Sequence, residues 1–285
     1  MKTIAPYIEL TKPKIAIMVL VMTAFGYFLA TPGTHALVHF ILTLIGTGMA
    51  GAGASVLNQY LERDTDPLME RTKNRPLPSG AVTPQAALYY GVFLAIGGCL
   101  LLLFTVNILA AFLALQSTFL YVLVYTPMKR LSWLNTSVGA IPGAMPPLIG
   151  WAAATGTLDY RAWILFAILY IWQHPHFYAI AWMYKDDYRN AGLKMLPVVK
   201  PDGRNMFHQV VWFSVLLIPV SLLPTLTHMT GPLYFTGALV SGIAFLVTAL
   251  YFTKTKTNPA AKTVLRASII YLPVLLLLIL ADTAI

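Results

Sequence analysis

The sequence predicts an all-α, polytopic membrane helix bundle of about nine transmembrane helices, forming one integral-membrane domain over residues 1–285. Three observations carry this prediction. Apolar residues make up 58% of the chain and charged ones only 10%, and the mean hydropathy of +0.71 lies far outside the range of soluble domains. Apolar runs of the length a bilayer demands, about 20 residues each, recur from one end to the other. The basic residues fall almost entirely in alternate connections between those runs, as cytoplasmic loops of membrane proteins require.

The spans are taken in order. Residues 15–31 follow Lys12 and Lys14 and resemble a secretory signal, but the run is long and the pattern continues, so it is a retained first span. Residues 36–57 form the second and end at a strongly charged stretch. Residues 86–106 and 108–125 are the third and fourth, with a tight join at Val106 and Asn107. Residues 134–154, the fifth, carry Pro142, Pro146 and Pro147 among Gly139, Gly143 and Gly150, so a broken or kinked helix is expected there. Packing alone accounts for such a helix, and so does a cavity beside it. The sixth, 161–183, contains His174 and His176 around Pro175. Residues 209–227, 233–252 and a short 267–281 complete the set.

Lys2, Lys12 and Lys14 precede the first span, and every other basic residue except Arg161 follows an even-numbered one. The N-terminus is therefore expected in the cytoplasm and, with nine spans, the C-terminus outside. This asymmetry and attraction to the lipid bilayer explain the net charge of +9 without a nucleic acid. Cys99 is the only cysteine, which excludes an internal disulfide and a thiolate metal cage.

The acidic residues carry the functional argument. Glu62, Asp64, Asp66 and Glu70 lie in the second-to-third connection, and Asp186, Asp187 and Asp202 in the sixth-to-seventh. Both connections share one predicted face, so the clusters are placed to meet over one cavity mouth. Asn58, Glu62 and Asp66 are spaced four apart, which sets their oxygens on one stripe of a helix continuing the second span. Oxygen ligands of this hardness suit Mg²⁺, which takes one or two carboxylates and completes its shell with water and phosphate oxygens. Arg71, Lys73, Arg75, Lys129, Arg130 and Lys185 are nearby cations for the remaining phosphate charge. On spacing alone, the same cluster is also what a solvated, basic cytoplasmic loop looks like.

Residues 58–66 (NQYLERDTD) and 69–80 (MERTKNRPLPSG) resemble the first acidic motif of the UbiA superfamily of intramembrane prenyltransferases. Further stretches are similar to the heme-farnesylating branch of that superfamily: 10–15 (LTKPKI), 125–130 (YTPMKR), 143–151 (GAMPPLIGW), 172–177 (WQHPHF) and 187–198 (DYRNAGLKMLPV). The resemblance covers residues 10 to about 200, and beyond 205 only the hydrophobic pattern agrees. It implies a UbiA-type fold in a bacterial cell (inner) membrane and an enzyme that transfers the farnesyl group of farnesyl diphosphate to a vinyl group of heme B. The product is heme O, water adding to the cation formed at the vinyl.

Carried over by position, Asn58, Glu62, Asp66 and Asp187 would be the magnesium-binding, catalytic set. Two departures stand out. Glu62 occupies a position where this family usually has Asp, and the second motif lacks paired spacing, with Met183 four before Asp187 and Ala191 four after. Given heme as acceptor, His174 or His176 would ligate its iron or orient the porphyrin, though a helix-to-helix hydrogen bond explains either histidine as well. His176 is the substrate-binding candidate. Tyr121, Tyr125 and Tyr178 are candidates to face an allylic cation. The sequence names no protein partner, heme A synthase and terminal oxidase included.

Two rivals remain. A UbiA-type enzyme acting on 4-hydroxybenzoate or another quinone precursor fits the first motif equally well. A transporter fits less well, because no Asp, Glu, Lys or Arg lies deep within a predicted span.

Overall fold

A computed structural model describes residues 4–31 and 36–283; Lys2 and His35 fall outside them. Among the described residues the chain is helical, with no strand. A short helix α1 (Ala5–Leu10) leads into α2 (Pro13–Ala30) and α3 (Leu37–Leu61), each starting and stopping close to the predicted span. The helices α4 (Pro84–Thr105) and α5 (Ile108–Phe119) follow, and α5 runs through a π-helical turn at Leu120–Tyr125 into α6 (Thr126–Leu131). Then come α7 (Asn135–Thr155), α8 (Tyr160–Met183), two short helices α9 (Lys185–Asn190) and α10 (Leu196–Val199), and finally α11 (Arg204–Leu226), α12 (Pro232–Thr255) and α13 (Asn258–Thr283). The last helix is 26 residues long, so the short final span read from the sequence is corrected to a full-length one.

Eight of these helical stretches are long and apolar enough to cross a bilayer. The chain is a multi-pass membrane protein. The proline-rich α7 falls short of that apolarity for a physical reason: most of its residues are buried against other helices. A helix with little lipid contact has no need of a lipophilic surface, and small residues serve it better. Together with α8 it occupies the middle of the bundle, with α2 and α5 on one side and α11 and α13 on the other. One buried core gathers around α8 and α11 to α13, and another around α2 to α5 and α7.

Helix α7 does not break at its prolines. It runs unbroken from Asn135 to Thr155 with Pro142, Pro146 and Pro147 inside it, because neighbours supply hydrogen bonds that proline removes. Pro146 has no N–H for the carbonyl of Pro142, and the Ser117 hydroxyl of α5 donates to that oxygen instead at 3.2 Å. At the far end, the Asn107 side chain donates to the carbonyls of Ala152 and Ala153 at 2.8 and 3.2 Å, adding a second bond at Ala152, which the Gly156 amide already serves, and covering Ala153 at the helix terminus.

Glycine sets the distance between α2 and α7. A Cβ on Gly150 would stand 1.9 Å from the Thr23 carbonyl oxygen, and one on Gly26 2.1 Å from that of Pro147, so these backbones touch with nothing between them. Gly150→Ala is expected to force the helices apart and cost about 1–3 kcal/mol of stability, seen as a lower thermal-inactivation midpoint in detergent. Gly51→Ala, which meets only a Val19 methyl at 3.7 Å, should leave the midpoint unchanged.

Candidate functional site

The cavity lies at one end of the bundle, where α2, α3, the π-turn, α6, α7 and α8 converge beneath the two acidic connections. Its floor and walls hold a group of charges that an apolar protein would not keep without a use.

Helix α3 stops at Leu61, Glu62 caps it, and Asp66 opens a 3₁₀ turn at Asp66–Leu68. The continuous helical stripe expected through Asp66 is thus corrected: the chain turns after Glu62. The four-residue relation survives, because the Glu62 amide donates to the Asn58 carbonyl at 3.0 Å and the Asp66 amide to that of Glu62 at 2.8 Å. Thr72 Oγ1 also donates to the Asp66 carbonyl at 2.8 Å. Asn58, Glu62 and Asp66 all line the cavity, and Asp66 is 0% exposed.

Asn58 is aimed by its neighbours. The Thr126 hydroxyl gives its one proton to the Tyr121 carbonyl at 2.8 Å, so it accepts from Asn58 Nδ2 at 3.0 Å, leaving Oδ1 to face Lys12. The π-turn makes this possible by bringing Thr126 over a carbonyl five residues back, and Pro127, which cannot donate an amide, marks the place where the ladder loosens.

Each of the three oxygen-bearing residues is held by a cation. Lys12 Nζ donates to Asn58 Oδ1 at 2.8 Å, Lys129 Nζ to Glu62 Oε1 at 2.6 Å, and Arg75 Nη1 to both Asp66 oxygens at 2.8 Å. Lys12 sits at φ 52°, in the left-handed region, a strained conformation that turns its side chain inward ahead of α2. Burial, followed by repulsion from Arg75, pushes its ammonium down to about 7. Burial acts to raise the Glu62 carboxyl, but Lys129, Lys12 and Arg75 outweigh it and hold it below the usual carboxylate range.

The remaining expected residues divide. Arg71 lines the cavity and joins the two acidic connections: its amide donates to Asp187 Oδ2 at 3.4 Å, and its guanidinium donates to Tyr188 Oη at 3.1 Å and lies over the Tyr184 ring. Asp187 itself is on α9 and is not among the lining residues. Lys73 pairs with Glu70 on the surface at 2.6 Å, Lys185 lies over the Trp182 ring, and Arg130 is exposed; these three stand outside the cavity. Tyr121, Tyr125 and His176 line it, whereas Tyr178 is buried and donates to Gln209. His174 is also buried, with Nδ1 on the Tyr170 carbonyl at 2.8 Å and Nε2 at 3.2 Å from Ser137 Oγ. Lys12 is not among the site residues that the sequence suggests, although it lies in the family-like stretch 10–15 (LTKPKI).

Among the described residues, no three His, Cys, Asp or Glu side chains gather closely enough to cage a metal. Magnesium rarely uses such a cage, and one or two carboxylates plus a neutral oxygen at an open cavity meet its needs. Asn58, Glu62 and Asp66 fit the ion on donor chemistry. Arg75 and Lys129 balance the two carboxylates, so a divalent ion would leave two positive charges for a prenyl diphosphate, and a third when Lys12 is protonated. A second, apolar cavity adjoins the first, sharing Ile15 and Tyr121 and continuing between Val19, Ala54, Ala114 and Ile149.

The UbiA prenyltransferase family matches residues 19–272. The protoheme IX farnesyltransferase of Solibacter usitatus is 47% identical, with 97% of this chain and 98% of that one covered. Among solved structures, one described for digeranylgeranylglyceryl phosphate synthase shares the fold with a TM-score of 0.83 at 20% identity, covering 99% of both chains. A UbiA homolog from Archaeoglobus fulgidus bound to DMAPP and Mg²⁺ gives a TM-score of 0.67 at 15% identity, covering 96% of this chain and 98% of that one.

In the presence of inorganic diphosphate, Mn²⁺ titrated as a paramagnetic stand-in for Mg²⁺ should bind the detergent-solubilised protein. Asp66→Ala should weaken that binding by about tenfold or more, equivalent to about 1.4 kcal/mol, and equal affinity would contradict the assigned donor set.

Proposed function

The chain belongs to the UbiA prenyltransferase family, and from that premise we propose that it farnesylates protoheme IX (heme B) at a vinyl group, releasing diphosphate and making heme O. It is a prenyltransferase. The observation that carries the acceptor is the 47% identity, over nearly the whole of both chains, to a protoheme IX farnesyltransferase. The charges around Asp66 supply the chemical rationale.

Asn58, Glu62 and Asp66 would hold the magnesium ion, with Asp187 at the rim as the contribution of the second acidic connection. The Archaeoglobus homolog is likewise bound to DMAPP and Mg²⁺. When bound, it supplies a Lewis acid that neutralises charge on the departing diphosphate. Lys12, Arg75 and Lys129 turn from the carboxylates and Asn58 to the phosphate oxygens, and Arg71 covers the group from the rim. Cations fixed in a water-poor cavity stabilise the charge that develops as the C1–O bond of farnesyl diphosphate breaks, its electron pair leaving with the diphosphate. The apolar cavity past Tyr121 takes the isoprenyl tail. Tyr121 and Tyr125, with ring centroids 5.3 Å apart, face the allylic cation. The vinyl π pair of heme B then forms the new C–C bond, and water adds to the resulting cation with loss of a proton. The cavity opens to the cytoplasm, the side that the basic loops favour for the N-terminus in a bacterial inner membrane.

Detergent-solubilised protein given heme B, farnesyl diphosphate and Mg²⁺ is expected to yield farnesylated heme by mass spectrometry. Asp66→Ala should lower the rate by about 100-fold or more. Prenylated 4-hydroxybenzoate in a parallel reaction, with no farnesylated heme, would overturn the acceptor while leaving the family intact.

A further inference from the structure

Two histidines flank Pro175, and their surroundings differ in kind. His174 is 0% exposed, has both nitrogens engaged and stacks on Phe213 with ring centroids 3.7 Å apart. It holds helices together. His176 lines the cavity, and its only side-chain hydrogen bond among the described residues joins Nδ1 to Ser268 Oγ on α13 at 2.8 Å.

The direction of that bond follows from a second one. Ser268 Oγ lies 2.7 Å from the Leu265 carbonyl oxygen, and a carbonyl only accepts, so the single hydroxyl proton of Ser268 is directed there. Ser268 therefore accepts from His176, and the proton of the imidazole resides on Nδ1. Nε2 carries the lone pair and has no hydrogen-bond partner among the described residues. Ser268 is 0% exposed and is itself fixed by the Trp172 indole, which donates to its carbonyl at 2.9 Å. The same indole stacks on the His176 ring, with centroids 4.9 Å apart and an interplanar angle of 27°. The ring is thus held by a hydrogen bond at one edge and an indole on its face, with an unprotonated nitrogen left over on a residue that lines the cavity. A neutral imidazole whose other nitrogen donates to a buried oxygen is what an iron ligand requires.

We propose that His176 Nε2 is an axial ligand to the iron of the porphyrin acceptor, and that Ser268 is the positioning residue that fixes its tautomer and orientation. This rests on the heme reading above. The ligation anchors the porphyrin by its metal, so that the vinyl-bearing edge is presented to the allylic carbon held at the diphosphate end of the same cavity. It also separates heme from a phenolic acceptor, which has no metal for His176 to bind.

The test uses full-length protein in detergent, ferric heme B as probe, and absorption and electron paramagnetic resonance spectra as readouts. Magnesium-dependent binding of a prenyl diphosphate is measured on every variant as a check of the fold. Wild type should show histidine-ligated heme. His176→Ala should lose that signature and regain it on addition of free imidazole, and His176→Cys should exchange it for a thiolate-ligated spectrum. Ser268→Ala should retain the ligation with heme affinity lowered by about 10-fold or more. His174→Ala should leave the signature as it is. Unchanged spectra in both His176 variants would overturn the ligation, even if farnesyl transfer to heme persists. Wild type that binds prenyl diphosphate but no heme would overturn the acceptor reading, and the ligation with it.

Discussion

Buried charge is the constraint on which this structure depends. Glu62 and Asp66 are almost wholly withdrawn from water, and an isolated carboxylate in such a place would cost several kcal/mol or more. Lys129, Arg75 and Lys12 make the arrangement tolerable, each brought from a different segment: α6, the loop before α4, and the residue ahead of α2. The bundle is therefore organised to bring these segments to one end. A partnership of this kind is weak as a stabiliser, since well-packed apolar residues would do as well. On the function proposed above, its use would lie in exchange: the cations that satisfy the carboxylates would be available to phosphate once a metal took the carboxylates over.

The packing serves the same end. Backbone contact at Gly26 and Gly150 fixes α2 against α7, and Lys12, ahead of the other end of α2, lines the cavity. The unbroken but proline-rich α7 keeps its freed acceptors satisfied through Ser117 and Asn107. Its small residues let Tyr125 lie against Gly139, where a Cβ would meet the ring at 2.5 Å. The π-turn, Thr126 and Asn58 form one chain of hydrogen bonds whose outcome is the direction of a single oxygen. Across the bundle, Ser268 does the same for His176.

Much of this was legible in the sequence, and the reasons are physical. Bilayer thickness dictates helix length, so the spans emerged within about five residues of their observed starts, except the last, which begins at Asn258 rather than at 267. The four-residue spacing of Asn58, Glu62 and Asp66 survived even though the helix ends at Leu61, because the turn that follows keeps the same hydrogen-bond step. Spacing failed where contact runs between helices. Lys12 meets Asn58 across 46 residues and Ser268 meets His176 across 92, and no local period records either meeting. Lys73, Arg130 and Lys185 were read as phosphate partners because they are near in sequence. Lys73 and Lys185 instead find Glu70 and Trp182 outside the cavity, and Arg130 is exposed.

The central claim is that the cations guarding Glu62 and Asp66 exchange partners when substrate arrives. A cryo-electron microscopy structure with Mg²⁺ and a non-hydrolysable farnesyl thiodiphosphate tests it directly. The account predicts Asn58, Glu62 and Asp66 on the metal, and Arg75 and Lys129 moved from the carboxylates to phosphate oxygens. Arg75 still bound to Asp66 and Lys129 to Glu62, with the diphosphate seated elsewhere, would contradict it.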